Sequence, residues 1–296
     1  MPIKICAIKF WAEFSLESGF IKCLLDQAFG SFVTVQREQE ADLVVGSIFQ
    51  PKVVAAIPEK TITFIWENLR PNFGLYHYSI SSDFDSYGGR NFRVPFWYGQ
   101  IQWPGYIPDQ SIPGWRNHGF EQPVDIDSLL QPRAPRAARD KDLFCCFVAN
   151  HPELHRMMCV ERLSKIGRVD VFGNVAGRPL RGSKYDILSR YRFNVCFENS
   201  TFPGYYTEKI IHAWAGGCVP LYYSDSWYGQ DFNPKAMINR IHFKTLDDFV
   251  ERVAEVHRSP SDLEEIFTQP LLTTRPSLDG AIEFLRRSYD EIRAGR

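Results

Sequence analysis

The sequence predicts two α/β domains joined by a linker. Three observations carry that prediction: short apolar strands alternate with helical patterns in both halves, a proline- and arginine-rich stretch separates the halves, and the composition supports a large core. Of the 296 residues 44% are hydrophobic, which is enough apolar surface for one large domain or two ordinary ones and rules out disorder as the dominant state. Lys and Arg number 34 against 35 Asp and Glu, so a nucleic-acid binder that relies on bulk positive charge is excluded.

Ile3-Lys4-Ile5-Cys6-Ala7-Ile8-Lys9-Phe10 predicts a first strand, and the spacing of Phe20, Leu24, Leu25 and Ala28 predicts a helix that stops at Gly30. Ala41-Asp42-Leu43-Val44-Val45 is a short apolar run suited to a strand buried on both faces; Thr61–Trp66 and Tyr78–Ile80 add two more. Between Gly88 and Trp115 the texture changes, with Phe92, Phe96, Trp97, Tyr98, Trp103, Tyr106 and Trp115 set among Pro95, Pro104, Pro108 and Pro113. Such punctuation predicts an ordered surface loop. Its rings either pin the loop to the domain, the reading favoured for any single ring, or offer a sugar a ledge of aromatic faces. On the second reading Trp97, Tyr98 and Trp103 are the acceptor-binding candidates.

Residues 131–139, Gln-Pro-Arg-Ala-Pro-Arg-Ala-Ala-Arg, have no apolar periodicity and read as a linker. The expected organisation is therefore a first domain over 1–130, a linker over 131–141 and a second domain over 142–296 that includes the C-terminal helices. In the second domain Phe144–Val148, Val169–Phe172, Phe193–Phe197 and Val219–Tyr223 predict strands. Leu154–Ile166, Thr207–Trp214, Leu246–Val256 with Thr245 as cap, and Leu278–Ile292 predict helices. In such a pair of domains the expected ligand crevice lies beside the carboxyl ends of the strands.

No stretch approaches the roughly 18–20 apolar residues of a membrane-spanning helix, and Met1–Phe14 alternates polar with apolar, so a soluble cytoplasmic protein is expected. The arginines of the linker allow peripheral contact with anionic lipid at the inner membrane face. The 7 cysteines include no C-x-x-C pair, which points to reduced, mostly buried thiols.

The densest chemical signal runs from Phe193 to Pro220: strand, polar loop, helix, glycine stop, strand. The loop feeds a helix whose first turn is Thr207-Glu208-Lys209. A first turn offers backbone N–H groups and the positive end of the helix dipole, which favour an anion such as a diphosphate. Taken singly, Thr207 and Glu208 are ordinary capping residues and Lys209 a solvated cation.

Taken whole, the run resembles the signature of glycosyltransferase family 10, the α-1,3/4-fucosyltransferases: F-E-N-S-x(4)-Y-x-T-E-K, then an apolar helix and V-P. Here the pattern is carried by Phe197, Glu198, Asn199, Ser200, Tyr205, Thr207, Glu208, Lys209, Val219 and Pro220. Asp231–Lys235, Phe147–Asn150 with Arg156 and Leu163, and Trp66–Phe73 resemble further family segments, so the likeness covers most of residues 60–240. Ala149 stands where many members have Ser, and Ser224 where many have Gly. The chain resembles a compact bacterial-type catalytic core, without the membrane anchor of animal members or the heptad repeats of some bacterial ones.

The resemblance implies a GT-B fold, two Rossmann-like α/β domains facing a central cleft. It also implies inverting, metal-independent transfer of L-fucose from GDP-fucose to an N-acetylglucosamine- or glucose-containing oligosaccharide, with no cofactor and no nucleic-acid partner. Glu67, after the strand Thr61–Trp66, is then the candidate base. A carboxylate of ordinary pKa, about 4.3, is a feeble base, so burial beside Trp66 is expected to help it. Arg156 and Lys209 are candidates for the diphosphate. Glu208 is assigned to the ribose, Tyr205 and Asn199 to the sugar or phosphates, and Thr207 to the same donor site. For Glu198 a fucose contact and a structural role stand even.

His151, His155 and His212 have neither triad nor metal spacing and are expected in solvent or core. Asp83-Phe84-Asp85 and Asp125-Ile126-Asp127 spell the D-x-D of metal-dependent transferases, a competing reading resting on three residues each. A related transferase with another nucleotide sugar, and a non-catalytic binding relative, are the remaining alternatives.

Overall fold

The structure, a computed structural model, describes residues 2–11, 14–50, 55–108, 122–135, 141–177 and 183–295. Trp115 and Pro113 of the aromatic stretch, and residues 136–140 of the expected linker with Arg136 and Arg139, lie outside them. The chain divides into two compact units, Met1–Pro113 with Pro276–Arg296, and Gly114–Arg275.

The first unit contains β1 (Ile3–Ile8), α1 (Gly19–Phe29), β2 (Phe32–Thr34), β3 (Leu43–Gly46), β4 (Thr61–Ile65), β5 (Tyr78–Ser81) and β6 (Asn91–Arg93). They form a six-stranded sheet of order β2-β1-β3-β4-β5-β6 in which every pairing is parallel. β3 and β4 are buried along their whole length, as continuous apolar runs in a parallel sheet require. α1 ends where the sequence places its stop, with Gly30 at φ 72.

The second unit contains α2 (Ile126–Leu130), β7 (Leu143–Val148), α3 (Leu154–Leu163), β8 (Val169–Phe172), α4 (Lys184–Leu188), β9 (Tyr191–Val195), α5 (Glu208–Ala215), β10 (Val219–Tyr222), β11 (Ile238–Asn239), α6 (Leu246–Arg258) and α7 (Pro260–Phe267). Its sheet is also parallel, of order β11-β10-β9-β7-β8. Phe147, Phe193, Val195, Phe197, Leu221, Phe249 and Phe267 share its main core.

The last helix, α8 (Asp279–Arg293), belongs to the first unit and not to the second, where the sequence reading put it. Its apolar stripe explains the return. Phe284 packs on Tyr78 and Phe92, Tyr289 meets Phe29, and Gly280 passes so close that an added Cβ would sit 2.6 Å from the Phe92 ring. Arg286 donates to the carbonyls of Ala28 (2.7 Å) and Gln27 (2.8 Å), satisfying acceptors that the end of α1 leaves open.

Within the linker range Arg133 is turned inward. It donates to the carbonyls of Trp214 (2.8 Å) and Cys218 (3.0 Å) at the C-terminal end of α5, and its guanidinium lies over the Trp214 and Phe267 rings. That engagement removes Arg133 from the set of arginines expected to meet lipid. All seven cysteines are buried and free. Among the described residues no helix is long and apolar enough to cross a membrane.

Candidate functional site

The signature segment leaves the carboxyl end of β9. Hydrogen bonding toward β10 continues past the strand, from Cys196 N to Leu221 O (2.9 Å) and from Glu198 N to Tyr223 O (3.1 Å), so Glu198 emerges at a fixed place. Its side chain has no exposed surface. One carboxylate oxygen accepts from the Thr207 N–H (2.8 Å) and the Tyr222 hydroxyl (2.9 Å). The other accepts from the Thr207 hydroxyl (2.7 Å) and pairs with Lys209 Nζ (3.2 Å). Of the two roles open to Glu198 in the sequence, the geometry is that of a tie between the strand end and the helix start. Tyr222, 24 residues away and invisible to the motif, completes it; burial, with the Glu198 charge behind it, pushes its phenol well up.

Thr207 is the N-cap of α5, yet its hydroxyl makes no capping bond to the helix. It donates to Glu198 and accepts from Lys209 Nζ (2.7 Å) instead. The ordinary capping role open to Thr207 is therefore not the one observed, and the first-turn N–H groups of α5 are not taken by the hydroxyl that usually takes one. Burial alone would lower the Lys209 ammonium, but Glu198 and Glu208, the latter at 3.4 Å, outweigh it and hold the pKa above its ordinary value. Lys209 is thus a held cation and not a solvated one.

Arg156 sits in the first turn of α3 and is 2% exposed, which excludes the surface role open to it in the sequence. One terminal nitrogen donates to the Phe197 carbonyl (2.5 Å), and its Nε is buried without a partner. Burial lowers its pKa, opposed first by Glu198 and then by Glu208. The neighbouring His155 is hydrogen-bonded through Nε2 to the Glu198 carbonyl (3.0 Å), its ring parallel to Phe197. The first turn of α3 and the end of β9 are therefore strapped together at two consecutive carbonyls. Arg156, Glu198, Thr207, Glu208 and Lys209 come together here; Tyr205, buried, and Asn199, half-buried, flank them on the same loop.

In the first unit Glu67 follows β4 and is exposed, and its carbonyl accepts from the Leu69 N–H (2.7 Å) in a tight turn. The expected burial beside Trp66 is not found. The Trp66 ring faces Phe20, Phe64 and Phe96, while the chain turns outward one residue later. The aromatic ledge is also corrected: Trp97 and Trp103 are 2% and 4% exposed, and Trp103 Nε1 donates to the Tyr98 carbonyl (2.7 Å). Their faces pin the loop, and of the three acceptor candidates only Tyr98 keeps partial exposure. The D-x-D carboxylates have local work. Asp83 pairs with Arg70 (3.2 Å) and accepts from Tyr87 (2.6 Å), and Asp125 caps α2. A cavity of 740 Å³ lined by Val124, Arg133, Tyr185 and Trp214 lies at the far end of α5 and includes none of the donor candidates.

Residues 137–268, which contain all of the second-unit site, match the model of "Glycosyltransferase family 10 (fucosyltransferase) C-term". Over those residues, somewhat under half of the chain, the sequence is similar to that family. The chain is 27% identical over 319 residues to the alpha-(1,3)-fucosyltransferase FucT of Helicobacter pylori, an alignment covering 99% of this chain and 65% of that protein. A human 3-galactosyl-N-acetylglucosaminide 4-alpha-L-fucosyltransferase is 34% identical over 143 residues, 47% of this chain and 39% of that one. The chain therefore spans about two thirds of the length of the first relative and less of the second. In fold it is similar to an alpha1,3-fucosyltransferase crystallised with GDP-fucose, with a TM-score of 0.75 at 23% identity over 98% of this chain and 90% of that one. The α/β class of GT-B type read from the sequence is the fold class of this chain.

Proposed function

We propose that the chain is an inverting fucosyltransferase that moves L-fucose from GDP-fucose to a hydroxyl of an N-acetylglucosamine- or glucose-containing oligosaccharide, without a metal cofactor. The observation that carries the reading is the diversion of the Thr207 hydroxyl from capping to Glu198, which holds Lys209 as a fixed cation at the start of α5. Similarity to α-1,3- and α-1,4-fucosyltransferases supports fucosyl transfer as the reaction.

In the proposed step the acceptor oxygen attacks the anomeric carbon of fucose as the bond to the β-phosphate breaks. The acceptor proton goes to Glu67, and GDP departs with the bonding pair. Negative charge then builds on the diphosphate, where Lys209, Arg156 and the α5 N–H groups are fixed in advance and need no reorganisation. Those fixed positive groups do the work a divalent ion does elsewhere. Glu208 takes the ribose hydroxyls, and Tyr205 and Asn199 the sugar and phosphates. We place the reaction in the cytoplasm, on free oligosaccharide or on glycan carried at the inner membrane face.

Turnover with GDP-fucose and type 1 and type 2 disaccharides tests the reading. It should survive EDTA, and Glu67→Gln should keep donor affinity while losing on the order of 10²–10⁴-fold in turnover. Near-normal turnover in that variant removes Glu67 as the base. Binding of GDP without any transfer would favour the non-catalytic relative, and transfer from a different nucleotide sugar would change the donor.

A further inference from the structure

Lys184 is the first residue of α4, and its side chain runs into the second unit until the residue is 7% exposed. Its Nζ lies 3.2 Å from Nδ1 of His212, which has no exposed surface and sits on α5 one helical turn beyond Glu208. Among the described residues no carboxylate stands within ion-pair distance of it. As an ammonium Lys184 donates to Nδ1 and two of its three donors have no described partner; as a neutral amine it accepts from the Nδ1 N–H.

Among the described residues an ionised Lys184 makes, with Arg156 and Lys209, three cations against two carboxylates, Glu198 and Glu208, around the start of α5. A buried excess of positive charge is costly unless an anion balances it.

We propose that Lys184, steadied by His212, is a further donor-site cation whose charge is completed by the diphosphate of a nucleotide sugar. This rests on the nucleotide-sugar reading above and adds a residue to it. Lys184 is a positioning residue: it acts through His212 and across α5, and Lys209 and Arg156 remain the groups that touch phosphate. The groups that face it are His212, Glu208 and Lys209 on α5, Cys196 after β9 and Cys146 on β7.

Burial lowers the Lys184 pKa, and Glu208, the strongest opposing group, does not restore it. In the free protein the pair can rest as a neutral amine accepting from imidazole N–H, or as an ammonium donating to Nδ1. A bound diphosphate favours the ammonium. Donor binding should therefore take up a proton from solvent on the alkaline side of neutrality.

Calorimetric titration of the full chain with GDP and with guanosine, in buffers of differing ionisation enthalpy between pH 8.0 and 9.0, reads that proton directly. GDP phosphates are already ionised in this range, and guanosine controls for the base. GDP and guanosine share the guanine ring and its own titration, so we expect GDP to take up more protons than guanosine, by up to one. In Lys184→Met that excess should vanish and GDP affinity should fall at least tenfold with guanosine unchanged. Lys184→Arg should keep GDP affinity without the excess, because its charge is permanent. GDP binding by the wild-type chain without the excess, or an excess that persists in Lys184→Met, overturns the inference and leaves the nucleotide reading standing. A wild-type chain that does not bind GDP overturns both.

Discussion

Glu198 meets the Thr207 N–H, the Thr207 hydroxyl, the Tyr222 hydroxyl and Lys209 with its two oxygens, in a place water does not reach. Replacing it by Gln keeps the shape, removes the charge and turns an N–H₂ toward donors. We expect Glu198→Gln to destabilise the chain by about 3 kcal/mol in urea unfolding, the usual cost of breaking a buried pair on one side. A loss under about 0.5 kcal/mol would mean that the tie is not what holds the loop.

Lys209 adds a pH signature. Its folded pKa is raised above the unfolded value, so the stabilisation it supplies is fully present below about pH 10.4 and is lost as pH rises through the folded value. The alkaline fall in stability of Lys209→Met should be shallower than that of the wild-type chain. The motif showed which residues gather here but not how they share the work. A glutamate after a strand reads the same whether it grips a sugar or a helix, and Tyr222 and Lys184 reach the cluster from distant positions in sequence. Trp97 and Trp103 show the opposite limit: an aromatic residue in a proline-rich loop says nothing about which way its ring faces.

At the scale of elements, the interior strands β3, β4, β7 and β10 were legible because their short β-branched and apolar runs are buried on both faces. The edge strands β2, β6 and β11 have two or three residues each and bury too little to leave a pattern. α2 and α4, five residues each, are shorter than two turns and escape a 3.6-residue period for the same reason.

α6 was legible down to its cap. Thr245 accepts from Asp248 N (3.1 Å) while the Asp248 carboxylate accepts from Thr245 N (3.0 Å). Thr245→Ala should cost about 1 kcal/mol in the same unfolding measurement, and no change would deny the cap its role. α8 was recognised as a helix but assigned to the wrong unit, because an amphipathic stripe says that a partner exists and not which one. A chain ending at Arg275 removes the cover of Phe29, Tyr78 and Phe92. Its first unit should lose cooperative unfolding by circular dichroism; retention would show that α8 is dispensable to that unit.

For the molecule as a whole, two parallel sheets supply two carboxyl-end loops of different character. In the second unit the loop after β9 is strapped and charged and Glu198 in it is buried; in the first, the loop after β4 is exposed at Glu67. That difference suits a donor site that must be preorganised for a developing charge and a base that must admit a variable alcohol. The measurement that tests this most directly is transfer of labelled fucose from GDP-fucose to a disaccharide acceptor in EDTA, run side by side for the wild-type chain, Glu67→Gln and Lys209→Ala. The account predicts product from the wild-type chain alone, with Glu67→Gln still binding GDP and Lys209→Ala losing more affinity for GDP than for guanosine. Undiminished product from both variants, or no product and no GDP binding from the wild-type chain, would contradict it.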